Sequence, residues 1–393
     1  MCRSKVCGTL RSEKFSLNFI FLASFACQMI VGVVSIAVPI YANMLGASLF
    51  IVGLIGSAGG LVYSFMPLVS GILCDRIGRK IFISASLFSY GASCLLYSLV
   101  QEPLMFIPIK ILEWISVATF WPAVESLIAD SALERLEDAL KKFNISWGSA
   151  MVVGPLLGGI LIDELSIKAP FVFSMLILIS FGVLSILVVR EPPKLLDAEK
   201  GSGENREMDG ERDGSIVTVL ATIFLFSSIV GILMSLFPSY ARDLGISAFE
   251  IGVMAFTFGV ARAVTFYHAT RIEERIKKTG MFLAGSLTLG FASLITFYSS
   301  TALLFLICFL IFGFGAGISY AASITFVLKW RKSSRGYAAG VFESLIGVGY
   351  FLGPLIGGFL SEFAGNVPYI YGFLLSIVVF LIQLMRRHRF SRD

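Results

Sequence analysis

Long apolar runs separated by short polar segments fill most of the chain between residues 16 and 386. Each run is about twenty residues long, the length that an α-helix needs to cross a bilayer, whereas a barrel strand needs about ten residues of alternating polarity. The pattern therefore predicts twelve membrane-spanning helices. These spans are 16–40, 48–70, 81–100, 104–128, 142–162, 170–189, 216–239, 248–269, 280–299, 301–327, 337–361 and 368–386.

The composition agrees with a membrane protein. Hydrophobic residues make up 56% of the chain and charged residues 15%, whereas soluble domains carry about a quarter charged residues. This balance excludes a soluble domain with one buried core. Because only helices and closed barrels satisfy their backbone hydrogen bonds in lipid, we predict an all-α polytopic protein of the plasma membrane.

The positions of lysine and arginine predict the topology. With the N-terminus inside, the inner segments hold 27 of the 31 lysines and arginines, and the outer loops hold only Lys168 and Arg242. This positive-inside bias places both termini in the cytoplasm. Because it also accounts for the net charge of +5, we expect no nucleic-acid partner. The six cysteines lack metal-ligand spacing, and we expect neither a metal site nor a cofactor.

Three blocks of the sequence recur at one offset of 199 residues: 39–46 matches 238–245, 48–53 matches 247–252, and 154–159 matches 353–358. We therefore predict two pseudo-symmetric six-helix halves in parallel orientation, residues 1–189 and 216–393. The segment 190–215 between them contains prolines, glycines and many charges but no apolar period. We interpret it as a flexible cytoplasmic linker.

The segment 71–80, GILCDRIGRK, forms a short charged turn between spans 2 and 3. Glycine suits sharp turns and close helix packing, and an aspartate beside arginines can pair with them or cap a helix. The segment resembles the loop between helices 2 and 3 of the major facilitator superfamily, whose two-half arrangement the internal repeat also resembles. The resemblance implies a latch of the cytoplasmic gate, in which Asp130 pairs with Arg79 or Arg76. Its residues are Gly71, Asp75, Arg76, Gly78, Arg79, Lys80 and Asp130.

Glycine–proline motifs recur in spans 5 and 11, as GPLLGG and GPLIGG. Proline bends a membrane helix, and small residues let helices pack closely. The first motif resembles the helix 5 motif of proton-coupled drug antiporters in this superfamily; generic close packing is the alternative. The resemblance implies bends at the interface between the halves. The residues are Gly154, Pro155, Gly158, Gly159, Gly353, Pro354, Gly357 and Gly358.

Span 4 combines charged and tryptophan side chains on one face. At about 100° per residue, an arc of about 120° contains Lys110, Glu113, Trp114, Val117, Trp121 and Glu125. Charged side chains inside a span are costly and normally face protein or a water-filled cavity. We therefore predict that this face lines a translocation path.

The roles of these side chains remain open between two interpretations. Lys110 and Glu113, at i and i+3, would neutralise each other as a structural ion pair, or Glu113 would exchange a proton in each cycle. Their segment, KILEW, resembles the family's helix 4 motif R-x-x-Q-G but departs from it at Lys110, Glu113 and Trp114. Glu125 beside Trp121 is either a site for a lipophilic cation or a hydrogen-bonded gate residue.

The second half carries few charges within its spans. Arg262 and Glu343 both lie in the predicted cytoplasmic half of the membrane. They form an ion pair with each other, or Arg262 binds an anionic substrate. His268, near a helix end, is interpreted as interfacial. Polar residues of spans 1 and 7 are predicted to line an apolar, aromatic cavity: Asn18, Gln28, Ser35, Tyr41, Ser227, Ser228, Ser235 and Tyr240.

The sequence contains no phosphate-binding loop or nucleophile constellation, so we predict a transporter and not an enzyme. The favoured function, as the resemblance implies, is proton-coupled export of a lipophilic or cationic small molecule, with the proton gradient as the driving force. Candidate proton or substrate residues are Glu113, Glu125, Lys110, Trp114, Trp121, Arg262 and Glu343. Uptake of an organic anion or sugar-like solute through Lys110 and Arg262 is the alternative, followed by a non-transporting membrane sensor. We expect a monomer to be functional.

Overall fold

The computed structural model describes residues 2–131, 136–191, 213–330 and 335–386, and the side chains of 16–74, 76–131, 136–191, 216–327 and 340–386. This part of the chain consists of α-helices, short connections and one 3-10 turn, Pro103–Met105. The helices are α1 (Cys2–Met44), α2 (Leu49–Tyr63), α3 (Met66–Ile77), α4 (Arg79–Ser98), α5 (Phe106–Ser131), α6 (Leu136–Glu164), α7 (Ala169–Val188), α8 (Asp213–Ser235), α9 (Phe237–Asp243), α10 (Ala248–Tyr298), α11 (Ala302–Trp330), α12 (Arg335–Leu360) and α13 (Val367–Met385).

The described residues include eleven helical segments that are long and apolar enough to cross a membrane. One of these, α10, has 51 residues, which at 1.5 Å per residue is about 76 Å, more than twice the ~30 Å hydrocarbon core. It is kinked at Lys277, in the predicted loop between spans 8 and 9. α10 therefore comprises two spans, and the predicted twelve-helix, all-α membrane fold is confirmed.

Two of the predicted spans are interrupted by helix breaks. Span 2 is divided into α2 and α3, and span 7 ends at Ser235 and is followed by the short α9. Pro67 and Pro238 lie in the first turns of α3 and α9. Because proline has no N–H to donate, it fits the first turn of a helix but not its interior. Each break therefore follows from a proline that begins a new helix.

The helices pack as two groups, which we call the N-terminal group (α1–α7) and the C-terminal group (α8–α13). In the first, α1 packs on α6 and α7, and α4 packs on α5 and α7. In the second, α10 packs on α11 and α13, and α12 packs on α8. The groups meet where α2 packs on α12 and α6 packs on α10. Most of the predicted linker 190–215 lies outside the described residues, so the boundaries of the two predicted halves stay predictions.

Large apolar side chains cover the outer surface of the helices. Leu187, Leu303 and Met385, for example, are 73%, 68% and 75% exposed. Soluble proteins rarely expose extended apolar surface, whereas lipid tails are a suitable neighbour for it. The chain is therefore a multi-pass membrane protein.

The 199-residue repeat is also visible in the backbone. Gly46 and Gly245 turn the chain after α1 and α9 with φ angles of 88° and 80°. Ser48 and Ser247 then cap α2 and α10, because each hydroxyl accepts a hydrogen bond from the N–H three residues ahead. The same turn and the same cap thus connect equivalent helices in the two groups.

The repeat also relates Gly78 to Lys277. Gly78 separates α3 from α4 with φ 125° and ψ 146°, and Lys277 kinks α10 with φ 59° and ψ 168°. This region of backbone conformation is almost restricted to glycine, since a Cβ atom meets the neighbouring carbonyl there. Lys277 therefore holds a strained backbone that its repeat partner avoids.

Replacing Lys277 by glycine should stabilise the protein. We expect Lys277→Gly to raise the free energy of unfolding by about 1 kcal/mol, because relief of strain exceeds the added entropy of the unfolded chain. The measurement is thermal unfolding of the purified protein in detergent. Lys278→Gly, at the neighbouring helical position, is the control and should lower stability by about 1 kcal/mol, since glycine is a poor helix former and the partly exposed ion pair with Glu273 adds little. Equal losses in both variants would contradict the strain at Lys277.

Candidate functional site

A cavity of about 180 Å³ lies between the two groups of helices. Residues of α1, α2, α5, α6, α8, α10 and α12 line it, so both groups contribute. Its apolar lining includes Val31, Val38, Val52, Ile55, Met151, Val230, Met234 and Phe258. Its polar lining is sparse and comprises Gln28, Ser35, Lys110, Trp114, Ser235, Arg262 and Tyr350. Such a cavity suits an apolar molecule held by a few polar anchors.

Lys110 and Glu113 form an ion pair, which is one of the two arrangements that the sequence left open. Lys110 Nζ lies 3.0 Å from each carboxylate oxygen of Glu113, and the Tyr97 hydroxyl donates to Glu113 Oε2 at 2.7 Å. Glu113 is 1% exposed and lies outside the cavity lining. Because its charge is balanced and its oxygens accept bonds from two side chains, the geometry favours the structural interpretation of Glu113.

The predicted face of span 4, which lies in α5, meets the cavity only at its first turns. Lys110 and Trp114 line the cavity, whereas Trp121 packs against Phe143 of α6. Glu125 is exposed further along the helix, on the predicted cytoplasmic side. Lys110, Trp114, Trp121 and Glu125 share one face of α5, but Trp121 and Glu125 lie nearer the predicted cytoplasmic end than the cavity does.

Three aromatic rings from α2, α5 and α12 form a cluster beside the cavity. The ring centroids of Tyr63 and Trp114 are 5.2 Å apart, and Tyr350 lies 6.4 Å from each of them. Trp114 and Tyr350 line the cavity. Because Tyr350 belongs to the C-terminal group, this cluster connects the two groups at the site.

Glu343 is hydrogen-bonded across the interface between the groups. The hydroxyl of Tyr63 in α2 donates to Glu343 Oε2 in α12 at 3.0 Å. Glu125 and Arg262 lie close enough to interact electrostatically with Glu343. The ion pair between Glu343 and Arg262, one of the two predicted arrangements, is absent from the pairs formed by described residues.

Arg262 is held by aromatic rings and not by a carboxylate. Its guanidinium carbon lies 5.3 Å from the ring centroid of Phe266 and 4.9 Å from that of Tyr320. The residue is 8% exposed and lines the cavity, and its buried Nε has no hydrogen-bond acceptor among the described residues. The guanidinium thus makes cation–π contacts with two rings in place of an ion pair with Glu343.

The glycine–proline motifs lie at helix contacts, and α6 and α12 continue as single helices through their prolines. Gly154 and Gly158 pack on α1, and Gly353 and Gly357 pack on α8, within their own groups. Gly159 contacts α10, and Gly358 contacts α2, so these two lie at the predicted interface. A Cβ atom added to Gly358 would lie 3.1 Å from the Gly53 Cα. Small residues thus allow close approach both within and between the groups.

Hydrogen bonds join the two groups at the helix ends that are predicted to lie on the outer side of the membrane. Asn43 Nδ2 donates to Asp243 Oδ1 at 3.0 Å, and Ser239 Oγ donates to the Pro39 carbonyl at 2.8 Å. Asp163 accepts a bond from an N–H in the first turn of α10 at 2.7 Å. These contacts close the space between the groups at that end.

The charged turn 71–80 makes its described polar contacts within the N-terminal group. Arg79 Nη2 lies 2.6 Å from Asp130 Oδ2, which is one of the two predicted pairings. The backbone N–H of Lys80 donates to Glu191 Oε1 at 2.8 Å. The Asp75 side chain lies outside the described residues, and the role of the turn as a latch stays a prediction.

The polar residues of spans 1 and 7 are divided between the cavity and the protein interior. Gln28, Ser35 and Ser235 line the cavity as predicted. Tyr41 instead donates to the Val100 carbonyl at 2.7 Å. Helix periodicity alone does not reveal which face of a buried helix meets a cavity, because both faces contact protein.

Two tyrosines of the site were missed by the sequence reasoning. Tyr63 occupies the repeat position of Arg262. The charge of Arg262 within a span was therefore a signal for its equivalent in the first half, and both side chains do lie near Glu343. Tyr350 follows Glu343 by seven residues, which places both on one helix face. The helical spacing from Glu343 could therefore have identified Tyr350.

Comparison with known proteins identifies the family. The chain matches the model of the Major Facilitator Superfamily over residues 20–239 and again over 219–389. It is 28% identical over 385 residues to the uncharacterized MFS-type transporter MJ1560 of Methanocaldococcus jannaschii, covering 94% of this chain and 97% of that protein. It is 26% identical over 375 residues to multidrug resistance protein 1 of Bacillus subtilis (strain 168), covering 92% and 94%.

The fold agrees with this assignment. The structure resembles an inward-facing, unoccupied bacterial homologue of the human lysosomal transporter Spinster, with a TM-score of 0.78 and 15% identity over 96% of each chain. A likeness at this identity supports the fold alone, whereas the family match spans most of the sequence. This protein therefore belongs to the Major Facilitator Superfamily, and it is a transporter and not an enzyme.

Proposed function

We propose that this protein exports lipophilic small molecules by alternating access, driven by protons that move into the cell. The observation that carries the proposal is the hydrogen bond between Tyr63 and Glu343, which joins the two groups of helices beside the central cavity. An ionised carboxylate only accepts hydrogen bonds, whereas a protonated carboxyl group also donates one. The contact between the groups therefore depends on whether Glu343 carries a proton.

Two observations support a lipophilic substrate and export. The described cavity lining is mainly aliphatic and aromatic, with few polar anchors. The relative from Bacillus subtilis is named a multidrug resistance protein, which supports efflux for this chain also. No cofactor is needed for this mechanism, since the proton gradient supplies the free energy.

The interface between the groups suits a rocking motion. The contacts that close the predicted outer end include hydrogen bonds near helix ends, such as the pair Asn43–Asp243. Such bonds contribute only about 1 kcal/mol each and can be exchanged for bonds to water when the groups separate.

We place both termini in the cytoplasm and expect one chain, which contains both groups, to function as a monomer.

Glu343 is a better candidate for proton coupling than Glu113. Glu113 is paired with Lys110 and hydrogen-bonded to Tyr97 within one group, so its protonation would not change a contact between groups. Glu343 is bonded to the opposite group. Glu125, exposed and within electrostatic reach of Glu343, is the candidate for releasing the proton to the cytoplasm.

Purified full-length protein reconstituted in liposomes tests the proposal. A pH gradient is imposed, and accumulation is followed for a panel of neutral, cationic and acidic lipophilic compounds. We expect substrate and protons to move in opposite directions, and a protonophore to abolish accumulation. Movement of both in the same direction would contradict export and support the second candidate, uptake of an organic anion. The cavity-lining Arg262 favours an anionic substrate whichever the direction of transport.

A further inference from the structure

We infer that the central cavity selects molecules that carry a carboxylate, which Arg262 binds, on an apolar or aromatic body. This inference rests on the proposed function, because it names the substrate class of the same cavity. Three features carry it: the burial of Arg262, the charge of the cavity lining, and the apolar surface around the guanidinium.

The first feature is a buried cation without a described acceptor. Arg262 is 8% exposed, its buried Nε has no hydrogen-bond partner among the described residues, and its guanidinium is absent from the ion pairs that these residues form. Two aromatic rings contact the guanidinium, since the ring centroids of Phe266 and Tyr320 lie within 5.3 Å of its central carbon. A buried charge costs free energy unless it is paired. A ligand acceptor would provide the missing partner.

The second feature is the charge of the lining. Within the described part of the chain, the charged side chains that line the cavity are Lys110 and Arg262. Lys110 is already neutralised by Glu113 at 3.0 Å. Glu343, the carboxylate near Arg262, accepts its hydrogen bond from Tyr63 instead. The N–H groups of Arg262 are thus the charged donors of the described lining that remain to bind a ligand.

The third feature is the surface around this cation. Val230, Met234 and Phe258 line the same cavity, and Trp114 and Tyr350 add aromatic surface. The planar guanidinium matches a carboxylate through two parallel hydrogen bonds. An apolar body would be buried against these side chains while its acidic group bonds to Arg262. A lipophilic cation would instead place its charge beside the guanidinium of Arg262.

The test uses three probes that share a naphthalene ring and differ in charge: 1-naphthylacetate, 1-naphthylacetamide and 1-naphthylmethylamine. Binding to the purified full-length protein in detergent is measured by equilibrium dialysis. We expect the acetate to bind at least about tenfold more tightly than the acetamide, since a charged hydrogen bond discriminates by this much. The amine should bind most weakly.

Three variants assign the preference to Arg262. Arg262→Gln should abolish the difference between acetate and acetamide, and Arg262→Lys should retain part of it. Arg271→Gln, an exposed arginine of the same helix α10, is the matched control and should bind all probes as the wild type does. If Arg262→Gln does not fold, the wild-type probe series and Arg262→Lys decide the question.

Two results would overturn the inference: equal or tighter binding of the uncharged or cationic probe by the wild type, or a preference for acetate that survives Arg262→Gln. Transport in liposomes separates this outcome from failure of the proposed function. Proton-driven export of neutral compounds without a preference for the acid would contradict the inference alone. Binding of the acid through Arg262 without any proton-driven export would support the inference and contradict the proposed function.

Discussion

The variant Glu343→Gln should bind substrate but lose proton-driven export. Glutamine keeps the size of the side chain and can still accept the hydrogen bond from Tyr63, but it cannot take up and release a proton. Export under a pH gradient should therefore fall to the level of protein-free liposomes. Exchange of substrate between equal concentrations, which needs no net proton movement, should persist. The two rates are measured with the same reconstituted protein.

Two further variants complete this test. Glu362→Gln changes an exposed carboxylate just beyond the end of the same helix α12, and as the matched control it should leave export unchanged. Tyr63→Phe removes the donor to Glu343; hydrogen bonds to charged groups contribute about 1.5–3 kcal/mol, so we expect slower, still coupled export. Full proton-driven export by Glu343→Gln would exclude Glu343 as the coupling residue.

Removal of the Glu113 carboxylate should strongly destabilise the protein. Glu113 is 1% exposed and balances Lys110, which is 8% exposed, at 3.0 Å. Removing one partner of a buried ion pair leaves the other charge without compensation, at a cost of about 3–5 kcal/mol. We therefore expect Glu113→Gln to lower the free energy of unfolding by about this amount. Thermal unfolding in detergent provides the measurement.

The double variant Lys110→Met/Glu113→Leu distinguishes a structural pair from a proton carrier. Replacing both charges by apolar side chains is often neutral or stabilising, so this variant should recover most of the lost stability. Glu273→Gln, in the less buried pair with Lys278 at 4.0 Å, is the control and should cost less than about 1 kcal/mol. If Glu113→Gln were as stable as the wild type but inactive in transport, Glu113 would be the proton carrier.

Some contacts of the site could be predicted from the sequence because they are local. Lys110 and Glu113 are three residues apart on one helix, so their pairing follows from helical geometry. Arg79 and Asp130 are far apart in the sequence, and their pairing was expected only from the resemblance to the family. Tyr97, which completes the environment of Glu113, is on another helix, and no spacing rule connects it to Glu113.

The position of Arg262 shows more clearly what could not be predicted from the sequence. Its charge within an apolar span predicted a role in a cavity or an ion pair, and the sequence left both open. The tertiary structure places it between two rings, Phe266 and Tyr320. Phe266 is one helical turn away, whereas Tyr320 belongs to α11. Only the packing of α10 on α11 could decide that the guanidinium stacks there and does not reach Glu343.

The sequence by itself determined the number of spans, the internal repeat of 199 residues and the family, because apolar run length and repeated motifs are properties of the linear chain. It also located the charged turn 71–80 between spans 2 and 3, since glycine acts on its own backbone, whereas the breaks at Pro67 and Pro238 appeared only in the structure. The tertiary structure alone decided which side chains of different helices meet. Tyr63 and Glu343 are 280 residues apart, and their contact depends on how α2 packs on α12. Depth, rotation and neighbours of each helix are set by that packing, and they decide which charges are neutralised and which remain available to a ligand.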